Sequence, residues 1–200
     1  MQARFRRTAL PLMLAIAPLV VAPFASGAAA ADRYVLDASH SQILFSYDHL
    51  GYSTTYGLFS GFDGEIVFDQ DDPAASSVTV SFPVRSMLTG WEARFSHFMS
   101  EDFFDAADDE MVSFVSTGIA VTGEDTALIT GDLTLNEITR EVVLDARLNA
   151  AGMHPMEERE WAGFDATTTL MRSDFELGMF APFVSDEVDV VISIEAMLAE

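Results

Sequence analysis

Four histidines and ten basic residues, every one of them arginine, are the groups with which this chain could do chemistry, set among 32 Asp and Glu residues and no cysteine. Imidazoles are common ligands for transition metals. Yet His40, His49, His97 and His154 show none of the short spacings of a familiar zinc motif, and there is no thiolate to join them, so no metal is expected. His40, between Ser39 and Ser41, is expected to make a structural hydrogen bond at the start of a strand. The Ser-His-Ser run offers hydroxyls beside a base. No Gly-x-Ser-x-Gly elbow, cysteine nucleophile, phosphate-cradling glycine loop or zinc hydrolase motif accompanies it. Isolated carboxylates in so acidic a chain are poor evidence for an acid–base pair, and no catalytic residue and no cofactor are assigned.

Arg94 and His97 differ, because they stand three residues apart in a stretch with helical spacing and so share a face. A guanidinium beside a hydrogen-bonding imidazole can hold a carbonyl or a phosphate. The competing reading is a solvated helix face with Arg94 paired to Glu101. Arg172 and Arg85 pose the same choice between ligand clamp and salt-bridge partner, and the abundance of acids favours the second.

Most of the chain reads as strands that would position these groups. Short β-branched and aromatic segments alternate with period two at 43–47, 55–59, 64–68, 77–84, 112–121, 127–135, 141–148, 162–170 and 188–194, the signal of half-buried strands. Val78, Val80, Phe82 and Val84 share one face, as do Val142, Leu144, Ala146 and Leu148. Turn residues separate the segments at 61–64, 69–73 and 123–125. Many short strands with regular punctuation predict a sandwich or a barrel. The exception is 87–109, where Trp91, Phe95, Phe98 and Met99 recur at helical spacing and predict a short helix over 89–99, closing on Phe103-Phe104. The loop 178–186, with Met179, Phe180, Pro182, Phe183 and Val184, is more apolar than an exposed loop should be, and either covers an end of the fold or meets a partner.

The N-terminus has the three-part layout of a secretory signal peptide: Arg4, Arg6 and Arg7, then an apolar run broken by Pro11, Pro18 and Pro23, then small residues to Ala31. Cleavage there leaves 169 residues (200 minus 31), enough for one domain over 32–200. The mature charge becomes 7 minus 32, or −25. With its few bases unclustered, such a chain is no partner for nucleic acid, and it is ill suited to anionic headgroups. A stable membrane insertion is not expected. Self-association as a homodimer stays open.

Four stretches in order resemble the YceI-like family of polyisoprenoid-binding proteins. They are Asp37-Ala-Ser-His40-Ser-Gln-Ile-Leu-Phe-Ser-Tyr-Asp-His49-Leu-Gly51, running on through Gly57-Leu-Phe-Ser-Gly-Phe-Asp-Gly64; Thr89-Gly-Trp-Glu-Ala-Arg94-Phe-Ser-His97, closing on Asp102-Phe-Phe-Asp105; Gly131-Asp-Leu-Thr-Leu135 with Thr139-Arg-Glu-Val-Val-Leu144; and Gly163-Phe-Asp-Ala-Thr-Thr-Thr169 with Arg172-Ser-Asp-Phe175. The resemblance implies an all-β fold: an extended, lipocalin-like antiparallel barrel of about eight strands with a helical insertion near 89–105. It also implies a periplasmic or secreted location and a long apolar cavity for a polyisoprenoid such as an isoprenoid quinone or a prenyl phosphate. Where the family usually carries His-Gly after Gly131-Asp-Leu-Thr-Leu135, this chain has Asn136-Glu137.

On that basis the ligand is expected to meet Phe45, Tyr47, His49, Tyr56, Phe59, Trp91, Arg94, His97, Phe103, Phe104, Phe164, Arg172 and Phe175. From the residues alone, the aromatic members could equally fill an ordinary packed barrel. The other functional reading is an interaction protein that docks a redox or membrane partner through 179–184, with any lipid structural. The leader is directly testable: sequencing of the exported protein should give an N-terminus at or next to Asp32, whereas a full-length chain retained in the membrane would refute the cleavage.

Overall fold

The computed structural model describes residues 31–200; the expected signal peptide, but for Ala31, lies outside the described residues. Ten strands follow in chain order: β1 Asp32–Leu36, β2 Gln42–His49, β3 Ser53–Phe59, β4 Asp63–Phe68, β5 Ser77–Pro83, β6 Met111–Val121, β7 Thr126–Leu135, β8 Ile138–Met153, β9 Glu160–Met171 and β10 Glu187–Leu198. One α-helix among the described residues, α1 at Glu92–Phe98, lies between β5 and β6. All nine segments predicted as strands are present. The strand that the alternation missed is β1, five residues long.

Every pairing is antiparallel, in the order β1-β4-β5-β6-β7-β8-β9-β10, and the ring closes where β1 also pairs with β10. Tyr34, Val35 and Leu36 lie opposite Leu198, Met197 and Ala196. The fold is therefore a closed eight-stranded antiparallel barrel with a short helical insertion. The remaining two strands form a hairpin: β2 continues along the other half of β10, from Gln42 opposite Ser193 to Ser46 opposite Asp189, and β3 pairs with β2. Beyond β3 the ladder stops. Leu58 makes an isolated bridge to Leu88, and α1 lies over this open side with the Phe98 ring 6.4 Å from that of Tyr47.

The helix is shorter than the predicted 89–99 for a local reason. Gly90 has φ 71, and the Thr89 hydroxyl donates to the Trp91 carbonyl at 2.9 Å, which fixes a turn where the first helical turn would have been. At the β7–β8 hairpin, Asn136 and Glu137 both have positive φ, 52 and 59, as a tight two-residue loop of the primed type requires. Asn136 tolerates this region, and its side-chain amide donates to the Phe175 carbonyl at 2.9 Å, so this chain meets a glycine-like requirement with Asn-Glu.

Burial is uneven around the ring. Tyr34, Leu36, Ile66, Phe68, Val80 and Phe82 of β1, β4 and β5 are buried in one cluster, joined by Phe59 from the end of β3. Inward-facing residues elsewhere, among them Phe114, Leu133, Val142, Leu144 and Phe164, are only half buried. Side chains that point inward yet keep exposed surface mark a hollow interior.

The corner between β1 and β2 is pinned to β10. Asp37 N–H donates to the Glu195 carbonyl at 2.8 Å, and His40 Nδ1 bonds the Asp37 carboxylate at 2.5 Å, so His40 makes the structural hydrogen bond expected of it. The Asp37 bond and charge raise the His40 imidazole above its ordinary value. Burial pushes the Asp37 carboxyl up, but hydrogen bonds from His40 and Ser39 outweigh it and hold the group below its ordinary value. The raised imidazole adds stability that is complete below about pH 6.5 and is lost as pH rises through its higher folded value. The depressed carboxyl adds stability that is complete above about pH 3.9 and is lost as pH falls through its lower folded value. The difference in melting temperature between wild type and His40→Gln should accordingly be widest near pH 5 and shrink toward alkaline pH; a difference flat across pH would mean the pair contributes no charge.

Candidate functional site

The interior holds a cavity of about 850 Å³ whose lining is predominantly apolar. Its wall is made by the inward residues of β2 to β10: Ile43, Phe45 and Tyr47 on β2, Thr55 and Phe59 on β3, Val78 and Val80 on β5, Val112 and Phe114 on β6, Leu133 and Leu135 on β7, and so around to Val190 and Ile192 on β10. The volume falls in the upper part of the range for small-molecule sites, about 300–1,000 Å³. The space is long: along β9 its lining runs from Phe164 to Met171, roughly 25 Å of extended chain. It runs from α1 and the 178–184 loop at the upper end down to Gly123 and Asp125 in the β6–β7 turn.

Two glycines shape the wall. A methyl on Gly57 would sit against the Phe45 ring, and one on Gly131 against the Phe114 ring. Each ring thus lies flat over a neighbouring strand and leaves the lumen clear. The upper end carries an aromatic cluster in which Phe103 meets His97 at 5.1 Å, Phe98 at 5.3 Å and Phe180 at 6.1 Å between ring centres, near edge-to-face for the first two.

Twelve of the thirteen residues assigned to a ligand from the sequence border this space: Phe45, Tyr47, His49, Phe59, Trp91, Arg94, His97, Phe103, Phe104, Phe164, Arg172 and Phe175. Tyr56 does not. It lies opposite Ser46 on the outer face of the β2–β3 hairpin and is 58% exposed. The inward positions of β3 are Thr55, Gly57 and Phe59, so strand parity removes Tyr56 from the lining. The aliphatic wall had no place in the aromatic assignment, although the same alternation identifies it.

The polar groups are engaged with the protein itself. His97 Nε2 donates to the Asp102 carboxylate at 3.0 Å. Arg94 does not pair with Glu101; its guanidinium donates to the Thr89 carbonyl at 3.0 Å, and among the described residues no carboxylate lies within ion-pair distance of it. Arg85 does have a carboxylate partner, Asp108 at 3.2 Å, and also bonds the Ala106 carbonyl. Arg172 behaves otherwise than the expected salt-bridge partner. It donates to four main-chain carbonyls, Leu177 at 2.6 Å, Ser185 at 2.9 Å, Val184 at 3.1 Å and Met179 at 3.2 Å. Burial lowers its pKa from the usual arginine range, opposed by Asp186. Arg172 is therefore the clasp that holds the apolar loop over the end of the barrel. Among the described residues, Asp37, His40 and Glu195 form the one group of three with metal-capable atoms within 4.8 Å of one another, and its imidazole is committed to Asp37.

A family model described as YceI-like domain matches residues 34–196. A UPF0312 protein of Ectopseudomonas mendocina is 39% identical over 186 residues, covering 92% of this chain and 97% of its own. Among solved structures, BcnA of Burkholderia cenocepacia aligns with a TM-score of 0.72 at 24% identity over 80% of this chain and 98% of its own. A polyisoprenoid binding domain from Saccharophagus degradans aligns at 0.61 and 15% identity over 83% and 98%. At these identities the two structures speak for the fold.

The clasp generates a prediction. Arg172→Met keeps the stem but abandons four carbonyls, and should destabilise the barrel by about 2–4 kcal/mol while admitting proteolytic cleavage within 178–184. Limited proteolysis with thermal melting checks it; a loop that stays resistant would show that its own apolar contacts hold it.

Proposed function

The chain belongs to the YceI-like domain family, and from that premise we propose that it is a binding protein, not an enzyme, which carries or sequesters a long-chain polyisoprenoid lipid along the barrel axis. The observation that carries this reading is the long cavity with its apolar inner face. An empty space of that size forfeits dispersion contacts along its lining, and a prenyl tail supplies them. Each buried methylene is worth about 0.8 kcal/mol, so a tail of tens of carbons outweighs an association cost of about 4–15 kcal/mol. The name of the Saccharophagus degradans neighbour, a polyisoprenoid binding domain, supports the same ligand class.

The ligand is an isoprenoid quinone or a prenyl phosphate. Its polar end meets Arg94 and His97 at the upper end of the cavity, where a cation and a hydrogen-bonding imidazole share one helical face. The aromatic residues beside them, Tyr47, Trp91, Phe103 and Phe104, receive the first isoprene units. Export by the N-terminal leader places the work in the periplasm or outside the cell, where an acidic surface keeps a lipid-loaded protein dispersed.

Chloroform extraction of protein purified from its own host, followed by mass spectrometry, should recover one long-chain isoprenoid per chain. Delipidation should lower the melting temperature, because a ligand bound only to the folded state stabilises it by mass action. The Arg94→Ala/His97→Ala double variant should keep the fold and lose most of the co-purified lipid. A protein lipid-free as isolated, whose melting ignores added quinone or prenyl phosphate, would leave the barrel without this role.

A further inference from the structure

Apolar side chains stand in solvent at the upper end of the barrel. Tyr52 at the tip of the β2–β3 hairpin is 89% exposed, Phe183 in the 178–184 loop 73% and Trp91 at the start of α1 64%, with Leu50 and Phe180 about half exposed. The hairpin and loop tips are joined by hydrogen bonds. Leu50 N–H donates to the Phe183 carbonyl at 3.0 Å, Ser185 N–H to the Asp48 carbonyl at 3.0 Å, and Asp48 N–H to the Ser185 hydroxyl at 2.9 Å. Trp91 and Phe180 also border the cavity, whereas Leu50, Tyr52 and Phe183 do not. An apolar track thus runs from the lumen, through the aromatic cluster, onto the outer surface.

We infer that this rim is the face with which the protein rests, reversibly, on a bilayer of zwitterionic or uncharged lipids. The inference rests on the reading that the cavity holds a membrane-soluble lipid, and it names the surface across which that lipid would enter and leave. Exposed apolar clusters of this kind mark interaction sites. Trp and Tyr suit the headgroup level, where one part of the ring is apolar and the other wet. The charge chooses among bilayers: Asp48, Glu92, Glu101, Asp102 and Asp186 lie in or beside the segments that build this end and outnumber its Arg85, Arg94 and Arg172, on a mature chain of charge −25 (7 minus 32). Anionic headgroups repel such a rim. A tail passing from bilayer to lumen along Trp91 and Phe180 would stay out of water.

The chain has two tryptophans, and they mark opposite ends. Trp161 stands near the start of β9, beside His154 in the β8–β9 turn and opposite Met197 at the far end of β10. Vesicles of brominated phosphatidylcholine, which quench only tryptophans that reach the acyl region, therefore report orientation. Trp161→Phe protein, which retains Trp91, should be quenched; Trp91→Phe protein, which retains Trp161, should not. In the Trp161→Phe background, Tyr52→Ser/Phe183→Ser should weaken vesicle partition about tenfold with an unchanged melting temperature. Added phosphatidylglycerol should weaken it further at low salt. Quenching in neither variant, equal quenching in both, an unaffected rim variant, or stronger binding to anionic vesicles would overturn the inference and leave the rim to a protein partner. Extraction of the same preparations separates the two readings. Bound lipid without Trp91-selective quenching defeats the docking inference alone; absence of lipid defeats the carrier reading on which it rests.

Discussion

The three-pair ladder between β1 and β10 is the contact on which the interior depends. Without it the sheet would end in two edges with unpaired N–H and C=O groups, and water would follow them inward. With Tyr34, Val35 and Leu36 set against Leu198, Met197 and Ala196, and the Ala199 N–H donating to the Arg33 carbonyl at 2.7 Å, the ring has no edge at that level. Its backbone polar groups are satisfied within the wall. The inner face can then be apolar and hollow at once. No disulfide assists in a chain without cysteine, and the crowded acids of the exterior repel one another, so ladder and packed cluster must resist that strain together.

Division of labour around the ring follows from this. The β1–β4–β5 side is packed with Tyr34, Phe68, Phe82 and their neighbours, and there rings contact rings, as with Phe59 and Phe82 at 5.1 Å. The β6–β9 side offers wall without filling. A barrel filled evenly would be more stable and would have no room; one hollow all round would lose the contacts that hold the ring shut. Arg172 and Arg85 show the economy of the upper end, where single guanidiniums collect the carbonyls of irregular segments that have no ladder of their own.

Much of the wall was legible in the sequence because a period of two reports faces directly. The nine predicted strands rest on that signal, and Val142, Leu144 and Leu148 point where the alternation puts them; the alternation leaves sandwich or barrel open, and the barrel is implied by the resemblance to the YceI-like family. Three misses have physical causes. β1 is too short for five residues to display a period. The helix begins late because Thr89 and Gly90 form a turn first, a matter of one hydroxyl bond and one positive φ. Tyr56 fits the lining by residue type but not by parity, and β3 disguises its parity by placing Thr55 and Gly57 inward and Tyr56 and Leu58 outward. The inward position 57 is a glycine because the Phe45 ring occupies the space a side chain would take, a relation between strands that no reading of one strand reveals. The role of Arg172 was likewise out of reach, since its four acceptors are main-chain carbonyls and leave no trace in residue identity.

The helix α1 occupies a side of the upper barrel where strand pairing gives way to a single bridge at Leu58 and Leu88. A wall built of strands has a girth set by strand number and stagger, which change only in whole steps and disturb every register. A wall built of a seven-residue helix and its flanking turns carries no ladder bonds across to β6. Val84, Met87, Met99 and Ala106 anchor the segment in the packed cluster, so it is the stretch between Gly90 and Phe98 whose length can change the bore at that level without removing a pair from the closed eight-strand ring. A designer who wishes to retune the bore therefore has one short stretch to edit, held between anchors that belong to the packed core.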